Sequence, residues 1–394
     1  MLISVVLRCA LVVALGLGIF AVGVWQRQGL EHPQRGQTAQ AVWTESAGLE
    51  SGGWALEAHG SIPMPADTAA AHASNLVAMP LGNSAALTAF WFAGDRESAP
   101  NVQIAASQWS RASQQWTPAR FVVNRHAMGR ELGYGLRRLG NPVAWLDGEG
   151  RMHLFVVATG WGGWAASRVL QLRQSSTSNA LKDLQFEPVR VLPLSWLWNI
   201  SYLVRNPPLP LADGGMVLPV HFELGTKHAS ALHFDAQGAY RGMVRISKHH
   251  DRLQPTLVME SPTDWWAFMR VQREQGKVAV SRSRDAGRNW EDQVDSSLDN
   301  PDAAVAGMGL SPHRMVLAYN PSVKGRTALH LGESGNGQSW TVAAVIEKGA
   351  EPDEFSYPAM AWSDGKLWVT YTADRTHIQW QRFISAPTNT RGAP

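Results

Sequence analysis

The 394-residue sequence predicts an all-β fold: a six-bladed β-propeller of four-stranded blades, preceded by one N-terminal transmembrane or signal helix. Three observations predict it. Six turn signals recur at steps of about 50–66 residues, each between two short apolar runs, as in a β-hairpin. The composition is rich in turn formers and aromatics, with 36 Gly, 22 Pro and 18 Trp, more Trp than Phe (11) or Tyr (6). No long segment of the body has a helical period.

The first element is the apolar run Leu2–Trp25, interrupted by Arg8 and closed by Arg27. As a helix it is long enough for about 30 Å of hydrocarbon. A cleaved signal peptide needs a small-x-small site a few residues after the run, and Ala39-Gln40-Ala41 lies far downstream. An uncleaved signal-anchor over residues 1–27 is therefore the favoured reading, with a cleaved, secreted form as the rival. Either sends the rest of the chain out of the cytoplasm, to the periplasm or cell surface. Residues 28–50 are Gln-, Gly- and Ser-rich and read as a flexible tether, leaving 51–394 as one propeller domain.

The turn signals are Gly82-Asn83, Asp147-Gly148, Asp213-Gly214, Pro262-Thr263, Ser311-Pro312 and Asp364-Gly365. Before them stand the runs Asn75–Met79, Pro142–Leu146, Pro207–Leu211, Pro255–Met259, Ala303–Met308 and Pro358–Trp362. After them stand Ala85–Trp91, Met152–Val157, Met216–Val220, Trp265–Met269, Met315–Tyr319 and Lys366–Tyr371. Each repeat has room for two more strands, which makes four per blade. If the first strand lines the axis, its start and the end of the second strand cluster at one mouth of the channel. The starts are His72/Ser74, Asn141, Arg205/Asn206, Gln254, Asp302 and Tyr357. The ends are Asp95/Arg96/Glu97, His221/Glu223, Arg270, Asn320 and Arg375. Nearly all are polar, whereas the runs between them are mostly apolar.

Composition excludes several classes. A net charge of +3 with no Lys/Arg-rich block argues against nucleic acid as a partner. The single cysteine, Cys9, excludes a disulfide framework and a CxxC metal site. Lys248-His249-His250 is no metal cluster, because adjacent strand residues point to opposite faces. The "GWGG" at 160–163 lacks the Lys and helix of a phosphate-binding loop. No cofactor or metal is expected, and the chain reads as a monomer.

Ser283-Arg284-Asp285-Ala286-Gly287-Arg288-Asn289-Trp290 fits the pattern S-x-D-x-G-x-x-W of an Asp-box, and Ser334–Trp340 is a copy one residue short. Ser110–Trp116 keeps little but the Trp. The motif reads as a structural turn. Asp285 accepts backbone N–H groups, Gly287 supplies a permissive backbone, and Trp290 packs between blades. On this motif, and on "LQPTLVME", "MVLAYN" and "EFSYPAMAWSDGKLWVTYT", roughly residues 70–384 resemble the Asp-box-repeat branch of the sialidase (neuraminidase) superfamily.

The resemblance implies a six-bladed propeller that removes terminal sialic acids from glycans. It implies three arginines on the substrate carboxylate, a Tyr nucleophile paired with a Glu, and an Asp acid/base. Guanidinium forks suit a carboxylate, and a neutral Tyr suits an anomeric centre that already bears one. Carried over by position, Tyr357 matches the nucleophile, and Arg270 and Arg326 match the second and third arginines. The sequence departs from the family elsewhere. His72-Ala73-Ser74 stands where the first arginine belongs, and His72 is at most a weaker cation. Gln254 stands where the activating Glu belongs, and it cannot act as a base. Glu223 and Glu354 are the available substitutes. Asp95 or Glu97 is available as acid/base, and Arg96 as the missing cation. Arg205, Asn206 and Asp302 complete the set of possible substrate contacts.

Three functions follow. The first is a sialidase-like exo-glycosidase on sialic acid or another acidic sugar. The second is a membrane-anchored glycan-binding propeller with a decayed site. The third is a polysaccharide lyase using Tyr357 or His221 for proton transfer. The tryptophans divide accordingly. Trp116, Trp290 and Trp340 belong to boxes, and Trp145, Trp266, Trp362 and Trp368 lie in hairpins. Trp161, Trp164, Trp196 and Trp198 are left to stack on a sugar.

Overall fold

The computed structural model describes residues 2–27, 39–43 and 53–385, apart from 98, 134, 196–198 and 274. Six antiparallel sheets of four or five strands follow one another around an axis, and a seventh, two-stranded sheet pairs Gly276–Lys277 with Asp299–Asn300. From the inside outward, the first blade is Ala70–Ala78, Ala85–Gly94 and Gln103–Ser110, edged by Gln115–Trp116 and Arg120–Val123. The second is Arg138–Leu146, Met152–Thr159, Arg168–Gln174 and Phe186–Val191. The third opens on Tyr202–Val204 and Leu209–Pro210, followed by Met216–Phe222, His228–Phe234 and Tyr240–Arg245. The fourth is Arg252–Met259, Trp265–Val271, Ala279–Ser283 and Glu291–Asp292. The fifth is Ala306–Ser311, Arg314–Tyr319, Ala328–Ser334 and Thr341–Lys348. The sixth is Phe355–Ser363, Lys366–Ala373 and His377–Ser385, and its outer strand is the N-terminal Trp54–Ser61. The expected hairpins all fall on the first two strands of a blade.

Apolar residues are buried where blade meets blade. Phe90, Ile104, Leu154 and Leu170 join the first blade to the second, and Trp266, Phe268, Leu317 and Tyr319 join the fourth to the fifth. Between the sixth blade and the first lie Trp109, Trp116, Trp368 and Trp380, with ring centroids of Trp109 and Trp368 4.9 Å apart. Most of the Trp excess is thus interface packing, including the four hairpin tryptophans, all of which are buried.

The Asp-box does what its pattern predicts. Gly287 N–H donates to Ser283 Oγ (2.9 Å), Asn289 N–H to Asp285 Oδ1 (2.9 Å), and the Trp290 indole to Gly287 O (3.1 Å). The shortened copy repeats this with Asn336 accepting from Gln338 and Ser339 N–H (3.0 and 2.9 Å). Both turns join the third and fourth strands of a blade, at the end of the molecule away from the candidate site.

The N-terminal segment is described in two parts. Leu2–Arg27 is helical, and its described side chains, residues 6–19, stand exposed. Among the described residues no helix is long and apolar enough to cross a membrane, so the transmembrane expectation has no structural support. Residues 39–43, within the stretch read as a tether, lie against the propeller. Ala41 N–H donates to Pro262 O (2.9 Å), Ala212 N–H donates to Gln40 O (2.7 Å), and Ala41 is 2% exposed.

Candidate functional site

The site is built on backbone bulges. Strand register shifts between His72 and Asn75, Gly140 and Val143, Leu253 and Thr256, and Ser356 and Ala359. Within these bulges Ala73, Asn141, Gln254 and Tyr357 have φ of +54°, +42°, +50° and +53°, and Asp302 in the fifth blade has +54°. Left-handed backbone at a non-glycine residue costs about 1–3 kcal/mol. Five blades therefore carry the same strained conformation at the channel mouth; Asn141, Gln254 and Tyr357 line the opening, Asp302 lines the adjoining cleft, and Ala73 is buried in the core. Proline follows the bulge residue at Asn141, Gln254 and Tyr357, where no ladder N–H is required.

A cavity of about 210 Å³ at this mouth is lined by Tyr357, Arg270, Gln254, Glu223, Glu97 and His72, with Asn141, Lys227 and Trp164 around them. Arg270 organises one wall. Its Nε donates to Asp302 Oδ1 (2.6 Å), and its Nη1 donates to Gln254 Oε1 (3.3 Å) and the Tyr357 phenol oxygen (3.5 Å). Burial works against its charge, but Asp302 and Tyr357 outweigh burial and raise its pKa. Arg326 approaches from the next blade. It donates to Asp302 O (2.7 Å) and Glu354 Oε1 (3.2 Å), and lies 5.9 Å from the Tyr357 ring centre. Arg270 and Arg326 thus converge on Asp302 and Tyr357. Asp302 also lines a neighbouring cleft of about 610 Å³ with Gln272 and Lys324.

The carboxylates are distributed unevenly. Glu223 Oε1 meets the buried His221 Nε2 at 3.0 Å. Burial alone would raise the Glu223 pKa, but His221, Arg270 and Lys227 hold it below the usual carboxylate value. Glu354 is likewise held low against burial, by Arg375, Ser356 and Arg326. Arg375 bridges Glu354 to Glu97, which ties the sixth blade to the first. Among the described residues no carboxylate bonds the Tyr357 phenol, whose hydrogen bond comes from Arg270.

The other expected site residues lie as follows. Asp95 is exposed and does not line the cavity, and Arg96 lines a crevice beside it with Glu97 and Arg375. His72 packs at a tilt against Tyr357, with ring centres 4.3 Å apart and planes at 56°. Burial first, then Arg375, pushes its pKa down to about 3, so it is neutral and does not replace the first arginine. Asn206 is spent on Gln254 O and Pro255 O. Arg205 is buried behind Tyr357 rather than in the cavity. Trp164 lines the cavity, while Trp161 is 84% exposed with Arg137 4.4 Å above its ring. Trp196 and Trp198 lie outside the described residues. Lys227 and Phe92 were not foreseen. Lys227 sits in a loop after the second strand with no motif, and Phe92 stands one residue past the apolar run Ala85–Trp91.

The chain matches the family described as a BNR repeat-like domain over residues 85–369. No curated protein matches it in sequence. Among solved structures it is similar to a Hadza microbial sialidase, at 16% identity and a TM-score of 0.66, covering 80% of this chain and 66% of that one. It is also similar to a protein of unknown function from Dyadobacter fermentans (12%, TM-score 0.62, 85% and 100%). A third is Trypanosoma rangeli sialidase (13%, TM-score 0.61, 82% and 57%). The chain spans two thirds or less of the sialidases' own length, and the likeness is one of fold.

Proposed function

We propose, for a chain that belongs to the BNR repeat-like domain family, that it is a sialidase-type exo-glycosidase acting on a terminal acidic sugar of a glycan. The observation that carries the reading is Tyr357, held on a strained bulge between Arg270 and Arg326, with Glu223 and Glu97 lining its cavity. Sialic acid is the first ligand to try, because the Trypanosoma rangeli sialidase is solved in complex with it.

In this reading the sugar's carboxylate docks on Arg270 and Arg326, as guanidinium groups bind carboxylates. The Tyr357 oxygen attacks the anomeric carbon, and its proton passes to Glu223. The bond to the leaving oxygen breaks as that oxygen takes a proton from Glu97. Water, deprotonated by Glu97, then displaces Tyr357 and releases the sugar, and Glu223 returns the proton to the phenol. Glu97 is preferred to Asp95 because Glu97 lines the cavity and Asp95 does not.

A second reading, a glycan-binding propeller without turnover, is favoured by one observation. The phenol receives a hydrogen bond from Arg270, and Gln254 stands where a carboxylate would activate it. Fluorogenic sialosides and uronides separate the two. The enzyme reading expects turnover that Tyr357→Phe lowers by at least about a hundredfold. Equal rates in both proteins exclude Tyr357 as nucleophile. Saturable binding of the acidic sugar with no turnover selects the second reading. A glycan substrate also suits export by the N-terminal segment. A C-terminal alkaline phosphatase fusion, active only outside the cytoplasm, tests that placement.

A further inference from the structure

Arg205 is the least expected charge in the molecule. It lies between the two short inner strands of the third blade, and its side chain crosses the channel. Nη1 donates to Ser74 O (3.2 Å) in the first blade and Nη2 to Pro358 O (2.7 Å) in the sixth. It is 2% exposed, its Nε has no partner, and among the described residues no carboxylate pairs with it. Burial pushes its pKa down to about 10, which still leaves it charged at neutral pH. A buried cation without a counter-charge is strongly unfavourable, and two carbonyls offset only part of that cost.

Its position gives the charge a purpose. The guanidinium carbon lies 5.2 Å from the centre of the Tyr357 ring, on whose phenol oxygen Arg270 also converges. Ser74, which it grips, belongs to the His72-Ala73-Ser74 stretch where the expected first arginine is missing. His72 itself is neutral. The other cations facing this corner are Arg270, Arg326 and Arg375, each engaged by Asp302, Glu354 or Glu97, and the half-buried Lys227 across the cavity. Among the described residues, Arg205 is the fully buried cation at this corner that no carboxylate pairs with.

We propose that Arg205 is a positioning residue that selects anionic ligands: it acts through Tyr357, and the ligand's carboxylate supplies the counter-charge that the protein withholds. This rests on the acidic-sugar reading above, whether or not turnover occurs. The low-dielectric channel transmits the charge without contact, so its effect falls on the difference between an acid and its neutral ester.

The test measures binding of N-acetylneuraminic acid and of its methyl ester to the full chain, for wild type, Arg205→Gln and Arg205→Lys. Gln keeps an amide donor for one carbonyl but no charge, whereas Lys keeps the charge. The expected result is an acid-over-ester preference that falls about tenfold in Arg205→Gln and is largely kept in Arg205→Lys. A purely structural role would weaken acid and ester alike in both variants. An unchanged preference in Arg205→Gln overturns this inference and leaves the acidic-sugar reading standing. No preference in the wild type overturns both. If Arg205→Gln does not fold, the Lys variant decides, since loss of preference there would overturn a role for the charge.

Discussion

Gln254 decides what Tyr357 can do. Its Oε1 accepts from Arg270 at 3.3 Å, and the same guanidinium reaches the phenol. An amide there can orient Arg270 but cannot take the phenol proton. Gln254→Glu places an ionised acceptor beside Arg270, and in the enzyme reading it raises kcat on a sialoside about tenfold or more. Loss of activity on that change would show that Glu223 suffices and that a second carboxylate only repels it. In the same reading, Glu223→Gln abolishes turnover while leaving acid binding. Because the Glu223 pKa is lowered despite burial, by His221 and the nearby cations, the carboxylate stays ionised below the usual pH. As proton acceptor it therefore sets an acid limb of kcat below the ordinary carboxylate value. Its contribution to stability is present above the unfolded pKa and is lost only as pH falls through the lowered one. A pH–rate profile with its acid limb at or above the ordinary value would remove Glu223 from this role.

One element scale up, the box turn is where local sequence and tertiary packing agree. Gly287 has φ of +78°, and a Cβ there would lie 2.5 Å from the Trp265 ring. Gly287→Ala combines backbone strain with a clash against a buried indole. It is expected to cost about 2–4 kcal/mol, read as a lower denaturation midpoint at unchanged slope. A change under 0.5 kcal/mol would mean that the turn relaxes freely. The same agreement explains what was legible in the sequence. Hairpins and boxes announce themselves because turn residues and short apolar runs are local, so all six blades could be counted. The mouth was half legible. Tyr357, Gln254 and Arg270 lie at strand ends and could be placed by repeat position. Which of them meet could not, because contacts such as Arg205 with Ser74 join blades far apart in the chain. The paired charges of Arg375, Glu354 and Glu97 were invisible for the same reason. The neutral state of His72 depends on burial that no motif encodes.

At the scale of the whole molecule, a propeller must close its ring, and here the closure is made by the N-terminal strand. Trp54–Ser61 pairs with His377–Ser385 along seven residue pairs, from Trp54 with Ser385 to Ser61 with Gln379. Its Glu57 carboxylate takes the Arg382 guanidinium at 2.5 Å, and Arg382 in turn lies 4.9 Å from the Trp368 ring centre. The strand thus holds the side chain that covers the tryptophan cluster between the last blade and the first. The segment 39–43 adds a second fastening across the third and fourth blades, next to an apolar cavity of about 260 Å³ lined by Trp43, Trp145 and Trp362. These contacts assign different consequences to different truncations. Removing residues 1–38 takes away none of the described propeller contacts, and the melting temperature should move by less than about 2 °C. Removing 1–43 also frees the hydrogen bonds to Pro262 and Ala212, a loss of roughly 1–3 kcal/mol at about 1 kcal/mol per bond. Removing 1–61 strips the sixth blade of its outer strand, exposes a bare sheet edge and uncovers the tryptophan cluster. That truncation should aggregate or lose the cooperative transition, because the ring stays open at the one interface where its two ends meet. Melting curves of the three truncations check the order. Equal stability of the 1–38 and 1–61 deletions would show that the ring closes through the first five blades' packing alone.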